Sequence, residues 1–248
     1  MTALPDSLMA HLRRARRVVA LTGGGVAAEA NFPSFREAHT GEWASYDVTE
    51  LATPQAFIRN PKLVWEWYDH RRRGAEALNP GMTHQALAAL EGCVESVTII
   101  TQAIDGLHQR AGSHDVIELN GNLHHARCYE AGHLLHTWED VGEVPPRCPH
   151  CGSHLRPNVV MFGEGLAQGD LRRARQAIEQ CDTLLCLGTI GAIEPVSSFP
   201  FAARRARARV IAIAPDDSIY TLLADDSITA RPAEIFPEIV QQLIVAKG

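Results

Sequence analysis

Short apolar runs rich in β-branched residues recur along the chain and alternate with stretches of helical periodicity. The runs predict buried strands at 18–21, 94–101, 116–119, 159–162, 183–187 and 210–213. Apolar residues recur at helical spacing at 85–90, 171–178 and 235–244. Continuous apolar strands alternating with helices are typical of a mostly parallel sheet covered on both faces. The sequence therefore predicts an α/β fold built on a doubly wound parallel sheet.

Two segments interrupt this alternation. Residues 32–79 are rich in aromatic side chains and predict a loop followed by helices, whereas residues 122–158 are rich in His, Cys, Gly and Pro. Because neither segment fits between a strand and its crossover helix, both predict insertions that build a second, smaller domain.

Composition excludes several classes of protein. The chain has 248 residues, of which 46% are hydrophobic and 21% charged, so it can bury a large core and is neither disordered nor collagen-like. A net charge of −6 argues against general nucleic-acid binding. No apolar run approaches the roughly 18 to 20 residues that span a bilayer, and the first residues do not resemble a secretion signal. We expect a cytoplasmic protein without a membrane partner; the sequence leaves its oligomeric state open.

Basic residues form two local clusters. These are Arg13, Arg14, Arg16 and Arg17, and then Arg204, Arg205, Arg207 and Arg209. Neither cluster is interleaved with aromatic residues, which a stacking surface for bases would need. Each cluster is therefore interpreted as a solvated helix face.

The six cysteines separate into two kinds. Cys93, Cys181 and Cys186 stand in apolar surroundings and are predicted to be small core residues. Cys148 and Cys151 form a C-x-x-C in the stretch RCPHCGSH. In a cytoplasmic chain this spacing indicates a metal or redox site before a structural disulfide.

Three glycines follow the first predicted strand. Gly23, Gly24 and Gly25 lead directly into a stretch of helical character. Small residues at such a turn let backbone N–H groups approach a phosphate. A tight connection between strand and helix with no ligand would use the same residues, so the turn alone leaves both interpretations open.

Five motifs together carry a resemblance that covers nearly the whole chain. They are TGGGVAAEANFPSFRE at 22–37, TQAIDGLHQRAG at 101–112, ELNGNL at 118–123, CPHCGSHLRPNVVMFGE at 148–164 and GTIGAIEP at 188–195. In content, order and spacing they resemble the sirtuin (Sir2) family of NAD-dependent protein-lysine deacylases. The resemblance implies a Rossmann-like domain at 1–31, 84–121 and 159–248. It also implies a small domain made of a helical insertion at 32–83 and a zinc-ribbon-like insertion at 122–158.

The resemblance implies that NAD and an acyl-lysine protein or peptide meet in the cleft between the domains. The implied cofactor contacts are Gly23, Gly24, Gly25, Glu29, Phe35, Arg36, Gln102, Ala103, Ile104, Asp105, Gly188, Thr189 and Ala214. Asp105 matches the residue that recognises the nicotinamide carboxamide, and the implied catalytic residues are Asp105 and Asn120. The implied substrate contacts include Val160, Phe162, Gly163 and Glu164.

The chain departs from the family pattern at the catalytic position. Asn120 stands where the family has the His that acts as general base on a ribose hydroxyl. An amide can form a hydrogen bond with a hydroxyl but accepts no proton at neutral pH, and loss of a general base typically costs about 10²- to 10⁴-fold in rate. Further changes around the nucleotide are Ala27 and Ile190 for Ser, Ser34 for Asp, and Ala103 and Ala214 for Asn.

Tyr68 and Arg71 resemble the acidic-acyl pocket of the desuccinylase-type subfamily. On a helix, positions i and i+3 share a face, so a hydroxyl and a guanidinium can be offered together to a carboxylate. The alternative is a surface Arg beside a packed Tyr; with the family resemblance, the pocket is favoured.

The zinc motif of the resemblance is incomplete. Cys128 is followed by Ala131 where a second cysteine is expected, and Cys148 and Cys151 come at the right distance. His133 or His136 can supply a fourth ligand. The alternative is a module without metal, in which the local histidines, His124, His125, His133, His136, His150 and His154, lie on the surface.

Three functions remain open at this point. The first is a slow NAD-dependent deacylase that prefers succinyl-, malonyl- or glutaryl-lysine. The second is a catalytically inactive protein that binds a nucleotide or an acyl-peptide. The third is NAD hydrolysis or ADP-ribosyl transfer at the same cleft.

Overall fold

The computed structural model describes residues 6–139, 142–189, 194–215 and 219–246, the side chains at positions 36 and 42 excepted. Nine strands lie in these ranges. They are β1 (Arg17–Thr22), β2 (Ser96–Thr101), β3 (Val116–Glu118), β4 (Gly121–Cys128), β5 (Leu134–Leu135), β6 (Leu155–Val159), β7 (Thr183–Leu187), β8 (Arg209–Ala214) and β9 (Asp226–Thr229).

Helices lie between the strands. They are α1 (Asp6–Leu12), α2 (Gly24–Glu29), α3 (Phe35–Ala38), α4 (Val48–Leu51), α5 (Pro54–Arg59), α6 (Pro61–Glu76), α7 (Met82–Leu90), α8 (Leu107–Arg110), α9 (Gln168–Gln180), α10 (Phe199–Arg205), α11 (Ile219–Leu223) and α12 (Pro232–Val245). Short 3₁₀ helices occupy Gly41–Ser45 and Val196–Ser198. Within the described ranges, no helix is both long enough and apolar enough to cross a membrane.

The main sheet has six parallel strands in the order β3-β2-β1-β7-β8-β9. The predicted α/β fold with a doubly wound parallel sheet is confirmed, and β9 is a strand that the apolar pattern did not predict. The strand order reverses between β1 and β7. In sheets of this kind, the crevice outside the carboxyl ends of the strands at the reversal is where ligands bind.

The sheet is covered on both faces, as continuous apolar strands require. Val18 and Ala20 of β1 face a layer formed by α1, α7 and α12, and Val19 and Leu21 face a layer formed by α9, α10 and α11. This alternation follows from the two-residue period of a strand. The predicted core cysteines are buried in these two layers; they are Cys93, Cys181 and Cys186.

A second, antiparallel sheet has the strand order β5-β4-β6. Its strands lie within 121–159, and the range 32–83 contains α3 to α6 and the start of α7. Aromatic residues of α6 and the preceding loops pack into a common cluster with Leu123 and Val159 of this sheet. The domain boundaries drawn from the sequence remain predictions.

The strand predicted at 159–162 is wrong. β6 ends at Val159 and belongs to the small sheet. The residues after β6 form backbone hydrogen bonds with two separate segments rather than with one strand. Val160 N–H donates to the Asn120 carbonyl, and Phe162 N–H donates to the Ala52 carbonyl. An apolar run alone does not distinguish such a segment from a core strand.

The interpretation of the basic clusters as helix faces is also wrong. α1 ends at Leu12 before the first cluster begins, and α10 ends at Arg205 within the second. β1 starts at Arg17 and β8 at Arg209, on either side of β7, so both clusters meet at the amino-terminal edge of the sheet. Arg17 and Arg209 each form a backbone hydrogen bond with Asp182, which precedes β7.

Candidate active site

A cleft of about 530 Å³ opens at the carboxyl ends of the central strands. One wall comes from the segment after α2 and from α6, and the other from residues after β2, β3 and β6. Its lining is Gly24, Ala27, Phe32, Pro33, Ser34, Phe35, Tyr68, Arg71, Gln102, Ala103, Ile104, Asn120, Val159, Val160, Met161, Phe162, Gly163, Glu164, Gly165, Leu166, Glu194 and Pro195. The cleft therefore lies where the sheet topology favours a ligand.

The glycine turn closes tightly onto the turn that follows β7. Gly25 N–H donates to the Gly188 carbonyl at 2.9 Å. A Cβ on Gly25 would lie 2.5 Å from that oxygen, and Gly188 has a φ of +55°, a conformation that favours glycine. Both glycines are therefore required for the close approach of the two turns at the point where the strand order reverses.

Asn120 is the second residue after β3 and is half-buried in the cleft wall. Its Nδ2 donates to the Gln102 carbonyl at 2.8 Å, and its own carbonyl accepts from Val160 N–H at 2.8 Å. The side chain is thus held by one amide hydrogen bond. Since an amide has no proton-accepting function at neutral pH, Asn120 can orient a hydroxyl but cannot deprotonate it.

Tyr68 and Arg71 lie together in the cleft because α6 carries them on one buried face. Asn60 caps this helix by accepting from Leu63 N–H, and proline occupies its first turn. Arg71 Nη2 donates to the Pro33 carbonyl at 2.8 Å, and its guanidinium lies 5.0 Å from the centre of the Phe32 ring. Tyr68 and Arg71 are only 5% and 6% exposed, so the interpretation as a surface Arg does not hold.

The electrostatics of this pair suit an anionic ligand. Burial raises the pKa of Tyr68 to about 12, so its hydroxyl stays a neutral donor. Burial lowers the pKa of Arg71, although a guanidinium remains charged at neutral pH. Among the described residues, no carboxylate lies within 4.0 Å of the Arg71 guanidinium, and its buried Nε has no hydrogen-bond partner. The charge of Asp105 offsets part of this lowering of the Arg71 pKa from beyond ion-pair distance. A buried cation that no carboxylate of the described residues contacts directly favours a carboxylate from outside the chain.

Asp105 is buried next to the cleft rather than in its lining. The residue is 1% exposed, and its Oδ1 accepts from Leu107 N–H at 2.9 Å, whereas Oδ2 has no partner in the described structure. Burial raises the pKa of this carboxyl. An orphaned buried oxygen is costly, and an amide donor of a ligand would satisfy it.

Twelve residues predicted from the sequence line the cleft together: Gly24, Phe35, Tyr68, Arg71, Gln102, Ala103, Ile104, Asn120, Val160, Phe162, Gly163 and Glu164. Seven others do not line it: Gly23, Gly25, Glu29, Asp105, Gly188, Thr189 and Ala214. Gly25 and Gly188 form the turn beside it, and Thr189 Oγ1 donates to Gln102 Oε1 at 3.3 Å. The Arg36 side chain and position 190 lie outside the described structure.

Glu29 has a structural role away from the cleft. Its Oε1 accepts from Ala233 N–H at 3.0 Å, near the start of α12, and its Cβ packs against Gly81. This contact fastens α2 to α7 and α12. The predicted cofactor contact of Glu29 therefore has no support from its position.

The cleft also contains residues that the sequence interpretation did not assign. They are Phe32, Pro33, Val159, Met161, Gly165, Leu166, Glu194 and Pro195. Phe32 and Met161 are apolar residues of loops, a signal that was available in the sequence. Ser34, noted as a departure, forms a capping box with Glu37 at the start of α3, so it positions the neighbouring Phe35.

The segment after β6 forms the mouth of the cleft. Phe162 is 56% exposed, and its ring meets that of Phe35 edge to face at 5.6 Å. Glu164 instead faces inward: it forms an ion pair with Arg156 at 2.6 Å and accepts from Met161 N–H at 2.8 Å. Glu164 thus stabilises this wall, while Phe162 is free to contact a bound chain.

A cluster of thiols and an imidazole lies at one end of the small sheet. The ligand atoms of Cys128, His133, Cys148 and Cys151 lie within 4.8 Å of one another. Three sulfurs and one imidazole nitrogen at this spacing are a suitable donor set for a tetrahedral zinc ion. The residues present therefore fit a metal.

The fold and the cleft define a class: a Rossmann-like α/β protein with a small cysteine-containing module and a ligand cleft between them. The family model described as Sir2 family matches residues 23–195. The chain belongs to the Sir2 family.

Named relatives extend over almost the whole chain. An NAD-dependent protein deacylase of Aeropyrum pernix is 42% identical over 90% of this chain and 91% of its own length. One from Methylococcus capsulatus is 40% identical over 96% of both chains. A solved complex of a Sir2 homologue with NAD has a TM-score of 0.89 and 36% identity, covering 99% of this chain and 96% of that one.

Proposed function

We propose that this chain is an NAD-dependent protein-lysine deacylase that prefers acidic acyl groups and turns over slowly. The relatives named above are NAD-dependent protein deacylases, which supports the reaction class. The observation that carries the acyl preference is the buried guanidinium of Arg71, which forms no ion pair with a described residue, in the same cleft as Asn120.

The acidic acyl preference follows from charge. A succinyl, malonyl or glutaryl group ends in a carboxylate that the Arg71 guanidinium and the Tyr68 hydroxyl can both hydrogen-bond. An acetyl group offers no such carboxylate and leaves the buried cation without an ion pair. Charge-assisted hydrogen bonds are worth about 1.5–3 kcal/mol each, which corresponds to roughly 10- to 150-fold in discrimination.

The turn between Gly25 and Gly188 and the free Oδ2 of Asp105 both fit NAD. The turn lets a diphosphate approach the backbone, and the Asp105 carboxyl has an acceptor to offer the nicotinamide carboxamide. Bound NAD would supply an electrophilic ribose carbon, with nicotinamide as its leaving group. Over the whole reaction the lysine amide bond and the bond between nicotinamide and the ribose would break, one water would be consumed, and the acyl group would pass to a ribose hydroxyl as the lysine amine and nicotinamide are released.

The chain's own groups orient and shield this chemistry rather than move protons. Asn120 Oδ1 can accept from a ribose hydroxyl, while its Nδ2 stays bonded to the Gln102 carbonyl. The apolar wall formed by Phe32, Val159 and Met161 excludes water from the acyl chain. We attribute slow turnover to Asn120, because no proton acceptor stands at this position.

Binding without turnover is the second candidate. Two observations favour this candidate. Position 120 has no base, and the methyl side chains of Ala27 and Ala103 offer no polar contact at two lining positions of the cleft. Such a protein would hold an acyl-peptide, with or without the nucleotide, and release it unchanged.

The deciding experiment measures nicotinamide release from NAD with a succinyl-lysine, an acetyl-lysine or an unacylated peptide of the same sequence. We expect release that depends on the peptide and is fastest with the succinyl form. Calorimetric binding of the succinyl-peptide without any nicotinamide release, even at high enzyme concentration, would favour the second candidate. Release that is independent of peptide would indicate NAD hydrolysis and overturn the proposal.

A further inference from the structure

The register of the β4–β5 hairpin determines which side chains near the cysteine cluster face one another. Ala126 pairs with Leu135, and Arg127 pairs with Leu134. The next pair toward the turn is Cys128 and His133, and Cys128 N–H donates to the His133 carbonyl at 2.9 Å. Cys128 and His133 are therefore opposite residues of an antiparallel pair.

Opposite residues of an antiparallel pair direct their side chains to the same face of the sheet. His133 thus shares a face with Cys128. His136 is three positions further along and contacts His125 instead, with 3.0 Å between His136 Nδ1 and His125 Nε2. Because successive side chains alternate between faces, the hairpin directs His133 toward the cysteines and His136 away from them.

A second turn brings the other two thiols to the same place. Cys148 N–H donates to the Ser153 carbonyl at 2.7 Å, and Gly152 N–H donates to the Cys148 carbonyl at 2.8 Å. This turn places Cys148 Sγ 3.5 Å from His133 Nδ1, and Cys151 Sγ 3.3 Å from Cys128 Sγ. The four side chains thus come from two turns that face each other.

These spacings suit tetrahedral zinc. With Zn–S bonds of about 2.3 Å and Zn–N bonds of about 2.0–2.1 Å, a tetrahedron separates sulfur from nitrogen by about 3.5 Å and sulfur from sulfur by about 3.8 Å. The Cys148–His133 separation of 3.5 Å has this value, and the Cys128–Cys151 separation of 3.3 Å needs only a small expansion.

We propose that His133 is the fourth ligand of a three-cysteine, one-histidine structural zinc site, replacing the thiolate that Ala131 cannot provide. The side chain of Ala131 carries no donor atom, and its N–H donates to Cys128 Sγ at 3.4 Å. Such a set has no open position, so the metal would connect the two turns and take no part in the acyl chemistry. This inference does not depend on the proposed deacylase activity.

The test uses the full-length chain and compares His133→Ala with His136→Ala as the matched control. Each protein is stripped with a chelator and reloaded with Zn²⁺ or Co²⁺. The zinc bound per chain and its affinity are measured by competition with a chromophoric chelator. The absorption of the Co²⁺ form reports how many thiolates bind the metal. This readout is independent of any catalytic activity.

We expect one zinc per chain in the native protein and in His136→Ala, with the Co²⁺ spectrum of a site with three thiolates. His133→Ala should bind zinc about 100-fold or more weakly. His133→Cys should restore tight binding with a spectrum of four thiolates, which keeps the test decisive if the alanine variant unfolds. Unchanged zinc affinity and Co²⁺ spectrum in His133→Ala, loss of zinc in His136→Ala, or no zinc binding by the native chain would overturn the proposal.

Discussion

The side-chain amide of Asn120 donates a hydrogen bond to the backbone carbonyl of Gln102, 2.8 Å away. Gln102 is itself attached to the end of β1, because its N–H donates to the Thr22 carbonyl. The bond joins the second residue after β3 to the first residue after β2, so it fixes the orientation of the Asn120 side chain.

Asn120→His tests whether this one position limits turnover. We expect the rate of nicotinamide release with a succinyl-lysine peptide to rise by about 10²- to 10⁴-fold, because an imidazole supplies the missing base. Asn120→Ala is the control, because it removes the hydrogen bond to Gln102 without adding a base. Its rate of nicotinamide release should not exceed that of the native chain. An Asn120→His variant that binds NAD and peptide in calorimetry but is no faster than the native chain would contradict the assignment.

Arg71→Met should abolish the preference for acidic acyl groups. The change removes the charge while keeping an apolar side chain among Phe32, Phe35 and Trp67, so we expect kcat/KM for the succinyl-peptide to fall about 10- to 100-fold relative to the acetyl-peptide. Arg72→Met is the matched control, since its guanidinium forms ion pairs with Asp69 and Glu76 rather than lining the cleft. Equal losses in both variants would argue against the pocket.

Gly25→Ala should destabilise the fold where Gly24→Ala does not. A Cβ at Gly25 would lie 2.5 Å from the Gly188 carbonyl oxygen, whereas a Cβ at Gly24 would meet no heavy atom within 4 Å. We expect the free energy of unfolding of Gly25→Ala to fall by about 1–3 kcal/mol relative to Gly24→Ala. Urea unfolding followed by circular dichroism measures this difference, and equal stability of the two variants would show that the turn relaxes at no cost.

His84 and His108 should make the protein sensitive to acid. Burial lowers the pKa of His84 to about 4 and that of His108 to about 3, against about 6.5 in an unfolded chain. Between these values the unfolded chain binds more protons, so the free energy of unfolding falls as the pH falls below about 6.5. Each histidine contributes up to about 1.4 kcal/mol per pH unit.

Replacing one of these histidines measures its contribution to the pH dependence of the free energy of unfolding. We expect His108→Gln to make the slope of unfolding free energy against pH shallower by about 1 kcal/mol per unit between pH 6 and 4. His70→Gln, at an exposed position of α6, is the control and should leave the slope as it is. Comparing slopes between variants cancels the opposite contribution of the buried Asp105 and Glu118, whose pKa values burial raises. Identical slopes in both variants would refute the role of His108.

The sequence predicted those strands of the main sheet whose hydrophobic pattern is contained within a few consecutive residues. The apolar runs that became β1, β2, β7 and β8 are buried on both sides, and burial on both sides leaves a continuous hydrophobic pattern. The same pattern misassigned 159–162, because those residues are apolar to line a cleft rather than to pair in a sheet. β9 was missed because a four-residue edge strand with alternating burial leaves only a weak pattern.

The chemistry of the site was also partly readable in advance. Tyr68 and Arg71 are three residues apart, and helical geometry brings that spacing to one face. The position of Glu29 outside the cleft could not be predicted from the sequence, because it depends on a hydrogen bond with Ala233, 204 residues away.

The sequence by itself determined the family, the α/β class and the identities of the groups in the cleft, because these depend on motifs and short-range periodicity. Only the tertiary structure decided that Arg71 is buried without an ion pair to any described carboxylate, that both basic clusters meet at one edge of the sheet, and that His133 rather than His136 faces the cysteines. Each of these depends on strand register or on contacts between distant segments. A shift of one residue in the hairpin would exchange the two faces, and no local pattern in the chain specifies that register.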